Sequence, residues 1–148
     1  MDPAEIEKHL QTEVEAEIQN SPFMKVLAEI ARIGKEQRTL VIVTHAFIEL
    51  MVNLLVQAKC KHGKEISNDS RGYSHSIKLT LLNELNIITD EEYKELNWLR
   101  KLRNKSAHDW DFTITPEQLN FFDDADSRNP EQFPRVCASM LHRFWRAP

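Results

Sequence analysis

The chain has 148 residues, of which 41% are hydrophobic and 28% charged, a composition typical of a globular protein with one core. Its formal net charge of −4 excludes the broad basic surface of a non-specific nucleic-acid binder, so any contact with nucleic acid must be local. Only three glycines are present, and this scarcity favours helices because strand-rich folds need glycine at many tight turns. The two cysteines form no C-x-x-C pair and indicate a reduced, cytoplasmic protein.

The first twenty residues are predicted to form an acidic helix or arm. Asp2 and Pro3 suit the N-cap and first position of a helix, and the segment lacks the apolar stretch of a signal peptide. Residues 1–20 hold six acids and one lysine, which leaves about +1 for the rest of the chain. We predict that residues 21–148 form one helical bundle.

The next two predicted helices supply much of the core. Residues 21–34 have apolar positions at helical spacing, with Gly34 as the stop signal. Residues 36 to about 61 are apolar almost all round, which predicts the central helix of a bundle. A membrane span is not expected, because a charged group such as Glu49 costs about 3 kcal/mol at mid-bilayer.

Polar residues recur every four positions along this central helix and form one narrow stripe. They are His45, Glu49, Asn53 and Gln57. Either the stripe faces solvent, or Glu49 points at a polar site in which Arg103 is the matching cation. Both interpretations stay open.

Residues 62–76 are predicted to be a polar loop, long enough to shape a groove or a lid. A fourth helix follows and breaks at 86–88. Thr89, followed by three acids, predicts the start of a fifth helix that runs to about Ala107.

The position of Arg103 on the fifth helix is unusual for a cation. At about 100° per residue, it falls between Leu96 and Leu99 on the apolar face. A cation aimed at the core must meet a carboxylate, a partner subunit or a bound phosphate.

The remainder is expected to contain a helix or turn from Thr115 to Phe122, an acidic loop at 123–126 and a last helix after Pro130 or Pro134. The predicted fold is therefore an all-α, single-domain bundle of five to seven helices.

The sequence lacks the common motifs of phosphate-binding, hydrolase and metal-dependent sites. It has no glycine-rich phosphate loop, no G-x-S-x-G, no H-E-x-x-H and no carboxylate cluster of magnesium-site type. Cys60 and His62 alone do not make a zinc site, so no metal or cofactor is expected. The remaining candidate is Arg103-Asn104-x-x-x-His108, because a guanidinium can bind phosphate through two hydrogen bonds and an imidazole can transfer a proton near neutral pH.

The same residues have a structural explanation, since cationic side chains offset the negative end of a helix dipole. Five residues along a helix correspond to a rotation of about 140° and an axial distance of about 7.5 Å. One straight helix therefore cannot aim Arg103 and His108 at one phosphate. Either the helix ends before His108, or two chains contribute to a shared site.

The segment from Leu99 to His108, together with the long helix that contains Glu49, resembles the HEPN superfamily of helical bundles. The hallmark of that superfamily is an R-x4–6-H motif, frequently with asparagine after the arginine. The layout over about 38–112 also resembles HEPN-like proteins grouped with the mannitol operon repressor. The resemblance implies a homodimer whose motif helices face each other across a cleft. Active members are metal-independent endoribonucleases, often toxins or anti-phage effectors, whereas repressor-like members are non-catalytic.

The resemblance implies a role for each motif residue. His108 is expected to transfer a proton to or from the ribose 2′-hydroxyl or the leaving oxygen, and Arg103 to stabilise charge on the phosphoryl oxygens. Asn104 is expected to orient the phosphate or the imidazole, and Glu49 to hold Arg103. Other residues are expected either to contact phosphate or RNA or to be solvated surface, namely Arg100, Lys101 and Lys105. Trp110 is expected to stack a base or to lie in the core or an interface.

Three hypotheses therefore remain. The first is a dimeric endoribonuclease controlled by a cognate inhibitor. The second is a non-catalytic regulator or protein-interaction module, which binds a partner through the acidic arm. The third is a plain dimerisation domain in which Arg103 and Glu49 form a buried pair. Direct DNA binding is not expected, because the chain is acidic and has no convincing helix-turn-helix.

Overall fold

The computed structural model describes residues 2–145, and within them the chain forms seven α-helices and no strand. The helices are α1 (Pro3–Asn20), α2 (Pro22–Ile33), α3 (Gln37–Lys59), α4 (Gly63–Asn68), α5 (His75–Glu84), α6 (Asp90–His108) and α7 (Phe133–Phe144). Two short 3-10 helices, Pro116–Leu119 and Pro130–Gln132, precede α7. The prediction of an all-α bundle of five to seven helices is confirmed.

The central position of α3 is also confirmed. It packs against α2, α4, α5, α6 and α7, and it buries nine of its side chains. Glu36 caps its start by accepting hydrogen bonds from the backbone of Arg38 and Thr39. By length and composition α3 could cross a membrane. Half of its most apolar 18-residue stretch is buried inside the bundle, however, as is usual for the core helix of a soluble protein.

The N-terminal arm packs little. Helix α1 contacts α2, and the described apolar side chains Ile6 and Leu10 are exposed. The division into an arm over 1–20 and a bundle over 21–148 stays a prediction.

The prediction of a loop over 62–76 is wrong for its first half, because residues 63–68 form α4. Gly63 permits this arrangement, since a Cβ atom there would lie 2.4 Å from the backbone oxygen of Val56. Such a close approach excludes every other residue type without a shift of the chain. The polar sequence of α4 has no helical periodicity that would have predicted it.

Three residues of the polar stripe of α3 contact α4 or α5. His45 packs against His75, and Gln57 Nε2 donates a hydrogen bond to Ser67 Oγ at 2.9 Å. Asn53 Oδ1 accepts a hydrogen bond of 2.9 Å from Nζ of the buried Lys78. The stripe is therefore divided: Glu49 and Gln57 are exposed, whereas His45 is buried and Asn53 is partly buried.

Helix α6 has the predicted start but a later end. Thr89 Oγ1 accepts a hydrogen bond from the backbone of Glu92, and the helix continues through His108. The expectation that Arg103 points into the core is wrong, because Arg103 is exposed. Helix α5 packs on the first part of α6, where Thr80 contacts Tyr93. The same face of α6 is open further along the helix, around Arg103.

We expect Lys78→Ala to lower the free energy of unfolding by about 1–3 kcal/mol, because it leaves Asn53 Oδ1 without its buried donor. Urea denaturation measures this change. The exposed Lys94 of α6 offers the matched control, and Lys94→Ala is expected to stay within about 0.5 kcal/mol of the original protein. Equal stability of the two variants would contradict the assignment of Lys78 as the tie between α3 and α5.

Candidate functional site

A cleft of about 320 Å³ opens between α3, the start of α5 and the second half of α6, and we call it the polar cleft. It brings together four of the residues that the sequence predicted, namely Glu49, Arg100, Arg103 and Asn104. The other lining residues are His45, Ser74, His75 and Ser76. The predicted convergence of Glu49 and Arg103 on one polar site is therefore found.

His108 does not line the polar cleft. Because α6 is continuous through His108, the side chains of Arg103 and His108 leave the helix about 140° apart. Of the two alternatives from the sequence, a helix that ends before His108 is wrong. A site that uses both residues therefore needs a second chain.

Two of the expected phosphate-contacting lysines also lie elsewhere. Lys101 and Lys105 line a separate cleft beside Trp98 and Phe121. On a helix both lysines point about 160° away from Arg103, so the three cations cannot act on one phosphate within one chain.

Glu49 does not hold Arg103 as expected. Its Oε2 lies 3.9 Å from Nδ1 of His45, one helical turn earlier, and no ion pair joins Glu49 to Arg103 within residues 2–145. Both side chains are exposed in the single chain, so the buried Arg103–Glu49 pair of the dimerisation hypothesis is not formed within one chain and stays a prediction for a dimer.

The two guanidinium groups of the polar cleft differ in their contacts. Arg100 Nε donates a hydrogen bond to Asn97 Oδ1 at 3.2 Å, which fixes its orientation along α6. The guanidinium of Arg103 makes no hydrogen bond or ion pair with any described residue. Its donors therefore remain available to an anion.

Two packed imidazoles form the inner wall of the cleft. His45 is 6% exposed, and its ring meets the edge of His75 with centroids 4.8 Å apart. Nε2 of His45 and both ring nitrogens of His75 are buried without a hydrogen-bond partner in the described part of the chain. Unpaired buried polar atoms are rare in folded proteins and indicate a place where a ligand or water can bind.

Burial favours the neutral form of both imidazoles. It lowers the pKa of His75 to about 3, assisted by the nearby His45, Arg100 and Lys78. Burial also lowers the pKa of His45, where Glu49 acts in the opposite direction and Arg103 in the same one. Each neutral ring offers one donor and one acceptor nitrogen.

The charges of the polar cleft favour an anion. Two guanidinium groups face one carboxylate and two neutral rings, with the hydroxyls of Ser74 and Ser76 at the rim. Guanidinium groups bind phosphate oxygens through charge-assisted hydrogen bonds. A metal is not indicated, because the described residues contain no group of three or more side chains placed to hold one.

No family model, curated protein or solved structure matches this chain in the three comparisons made with known proteins. The resemblance to the HEPN superfamily thus stays a prediction, and it depends on Arg103, Asn104 and His108 and on the order of the helices.

The end of α6 is fixed by a residue that the sequence analysis missed. Nη2 of Arg38, in the first turn of α3, donates hydrogen bonds to the backbone oxygens of Asp109 and Trp110 at 2.6 and 2.8 Å. The side chain of Trp110 is 89% exposed, so the expectation that it lies in the core is wrong. Base stacking and an interface between chains remain open for it.

An apolar stripe follows the exposed side of α3 next to Glu49. Its members recur every four residues and are Ile42, Ala46, Leu50 and Leu54, all exposed. The three larger side chains are between 42% and 48% exposed. Contiguous exposed apolar surface of this kind marks protein–protein contacts.

The neutral, buried histidines make stability dependent on pH. An unfolded chain takes up protons at these rings below about pH 6.5, whereas folded His75 stays neutral down to about 3. The free energy of unfolding is therefore expected to fall as pH drops through this window, by up to about 1.4 kcal/mol per pH unit for each histidine.

Urea denaturation between pH 6.5 and 4.5 measures this slope. His75→Phe keeps a ring in place and is expected to make the slope shallower. His62, an exposed histidine, provides the control, and His62→Phe is expected to leave the slope unchanged. Identical slopes for His75→Phe and the original protein would contradict the account.

Proposed function

We propose that the chain is a metal-independent endoribonuclease of HEPN type that acts as a homodimer. The observation that carries the proposal is the free guanidinium of Arg103, which lies beside Arg100 and Asn104 in a cleft suited to an anion. The same helix carries the complete R-N-x-x-x-H motif. A cytoplasmic location and a cognate inhibitor protein belong to this proposal.

The geometry of α6 supports the dimer in this proposal. Arg103 and His108 of one chain point to different sides, so the His108 that acts on the polar cleft must come from the partner subunit. The apolar stripe on α3 borders the cleft at Glu49 and gives a second copy a surface on which to pack. A twofold dimer uses the same patch on both chains, so it forms two shared clefts.

The chemistry requires no metal-bound water, since RNA supplies its own nucleophile. The 2′-hydroxyl oxygen attacks phosphorus, its proton passes to a base, and the bond from phosphorus to the 5′-oxygen breaks as that oxygen gains a proton. The products are a 2′,3′-cyclic phosphate and a 5′-hydroxyl. Arg103 is expected to bind the phosphoryl oxygens as their negative charge grows.

Proton transfer is assigned to His108 rather than to the histidines of the cleft. The pKa of His75 is lowered to about 3, which makes that ring a weak base near neutral pH. The rings of His45 and His75 instead form the inner wall of the cleft. His108 is exposed at the end of α6, where it can reach a second chain.

One observation favours a second candidate function, a non-catalytic regulator or interaction module. Arg103 and His108 do not meet within one chain, so a protein that stays monomeric could bind an anion in the polar cleft without cleaving it. The acidic helix α1, whose described side chains are exposed, would suit a basic partner groove.

Incubation of the purified protein with RNA in EDTA tests the enzymatic proposal. We expect cleavage that leaves 2′,3′-cyclic phosphate ends, and a loss of at least about 100-fold in Arg103→Ala and in His108→Ala. Arg32→Ala and His62→Ala change exposed residues away from the polar cleft and are expected to cleave normally. Absence of cleavage by the original protein, or equal cleavage by all four variants, would contradict the proposal and favour the regulator.

A surface variant tests the dimer in the same assay. Leu50→Glu is expected to lower the molecular mass of the protein in solution from that of a dimer to that of a monomer, because it places a charge in the apolar stripe. It is also expected to lower the cleavage rate. Leu85→Glu alters an equally exposed leucine outside the stripe and is expected to change neither. A fully active monomer would contradict the shared site.

A further inference from the structure

A second cleft, of about 370 Å³, lies across α6 from Arg103, and we call it the aromatic cleft. Pockets of this size accommodate small ligands. Its wall is aromatic and its rim is charged. The residues that form it are Trp98, Leu102, Phe121, Lys101, Lys105 and Glu117, with Gln118 behind them.

The aromatic wall consists of rings that pack on one another. The rings of Trp98 and Phe121 are stacked, with centroids 5.9 Å apart and planes 13° apart. Nε1 of Trp98 donates a hydrogen bond to the backbone oxygen of Gln118 at 2.8 Å, and the ring of Phe122 braces Trp98 from the edge. Phe121 remains 41% exposed, so a flat ligand can extend the stack.

The rim supplies positive charge beside this wall. Lys101 and Lys105 are one turn apart on α6, both exposed, and neither forms an ion pair in the part of the chain that the structure describes. Two ammonium groups next to stacked rings suit a ligand that combines a flat ring with an anionic group. A nucleotide has this combination.

We propose that the aromatic cleft binds a nucleotide, with its base against Phe121 and its phosphate between Lys101 and Lys105. The ligand chemistry is a nucleoside monophosphate unit, either free or as part of a single-stranded nucleic acid. This site is separate from the polar cleft, and its occupancy does not depend on cleavage there.

Glu117 gives the site a preference among bases. A carboxylate only accepts hydrogen bonds, and Glu117 lines the same cleft as Phe121. The exocyclic amino groups of adenine and cytosine donate to a carboxylate, whereas uracil presents a carbonyl oxygen at the corresponding position. The site therefore prefers 5′-AMP and 5′-CMP over 5′-UMP.

A nuclear magnetic resonance titration of the full chain tests the proposal. The chain has three tryptophans, and the indole N–H signal of Trp98 is assigned by its loss in Trp98→Phe. We expect 5′-AMP to shift this signal with a Kd below about 1 mM, and 5′-UMP to bind about tenfold more weakly. Inorganic phosphate alone is expected not to shift it, because phosphate lacks the ring that stacks.

Variants of the wall and the rim complete the test. Phe121→Leu keeps an apolar side chain but removes the stacking ring, and Lys101→Ala with Lys105→Ala removes the charge, so each is expected to weaken 5′-AMP binding about tenfold or more. Lys94→Ala is the matched control on α6 and is expected to bind normally. Glu117→Gln is expected to reduce the preference for 5′-AMP over 5′-UMP, since an amide both donates and accepts.

The result that overturns the proposal is an unmoved Trp98 signal at saturating 5′-AMP, or an equal response to inorganic phosphate. A six-nucleotide oligodeoxyadenylate, which has no 2′-hydroxyl and cannot be cleaved, separates the two sources of the ligand. Tighter binding of the oligonucleotide assigns the site to a strand, and equal binding assigns it to a free nucleotide. Either outcome is independent of the RNA cleavage assay.

Discussion

The arrangement of the candidate site residues depends on one constraint, the fixed angle between successive side chains along an unbroken helix. Helix α6 continues from Asp90 through His108, so Arg103 and His108 leave it about 140° apart. Packing against α3 buries one face of α6 and leaves both residues at the surface. Any chemistry that needs Arg103 and His108 on one phosphate must therefore be completed by another chain.

The polar cleft exists because α3 offers polar groups where α4 and α5 cross it. Lys78 binds Asn53, and His75 packs on His45, so the start of α5 is held against the centre of the bundle. Helix α5 begins there, and the flank of α6 around Arg103 stays open. The contacts that stabilise the fold thus also form the inner wall of the polar cleft.

The features of the fold that could be predicted from the sequence are those that depend on local residue patterns. The apolar length of α3 predicted its central place, and Thr89 with its acids predicted the start of α6. It did not predict α4, because the close approach of Gly63 to α3 is a tertiary contact, nor the pairing of His45 with His75 across 30 residues. The helical wheel placed Arg103 at the correct angle but could not show that α5 stops short of it.

Complementation between two inactive variants tests the shared site most directly. Mixed dimers of Arg103→Ala and His108→Ala, purified through two different tags, hold one intact site that joins Arg103 of one chain to His108 of the other. The account predicts about half of the original cleavage rate for these dimers, since one of two symmetric sites is restored. Mixed dimers as inactive as their parent variants would contradict it.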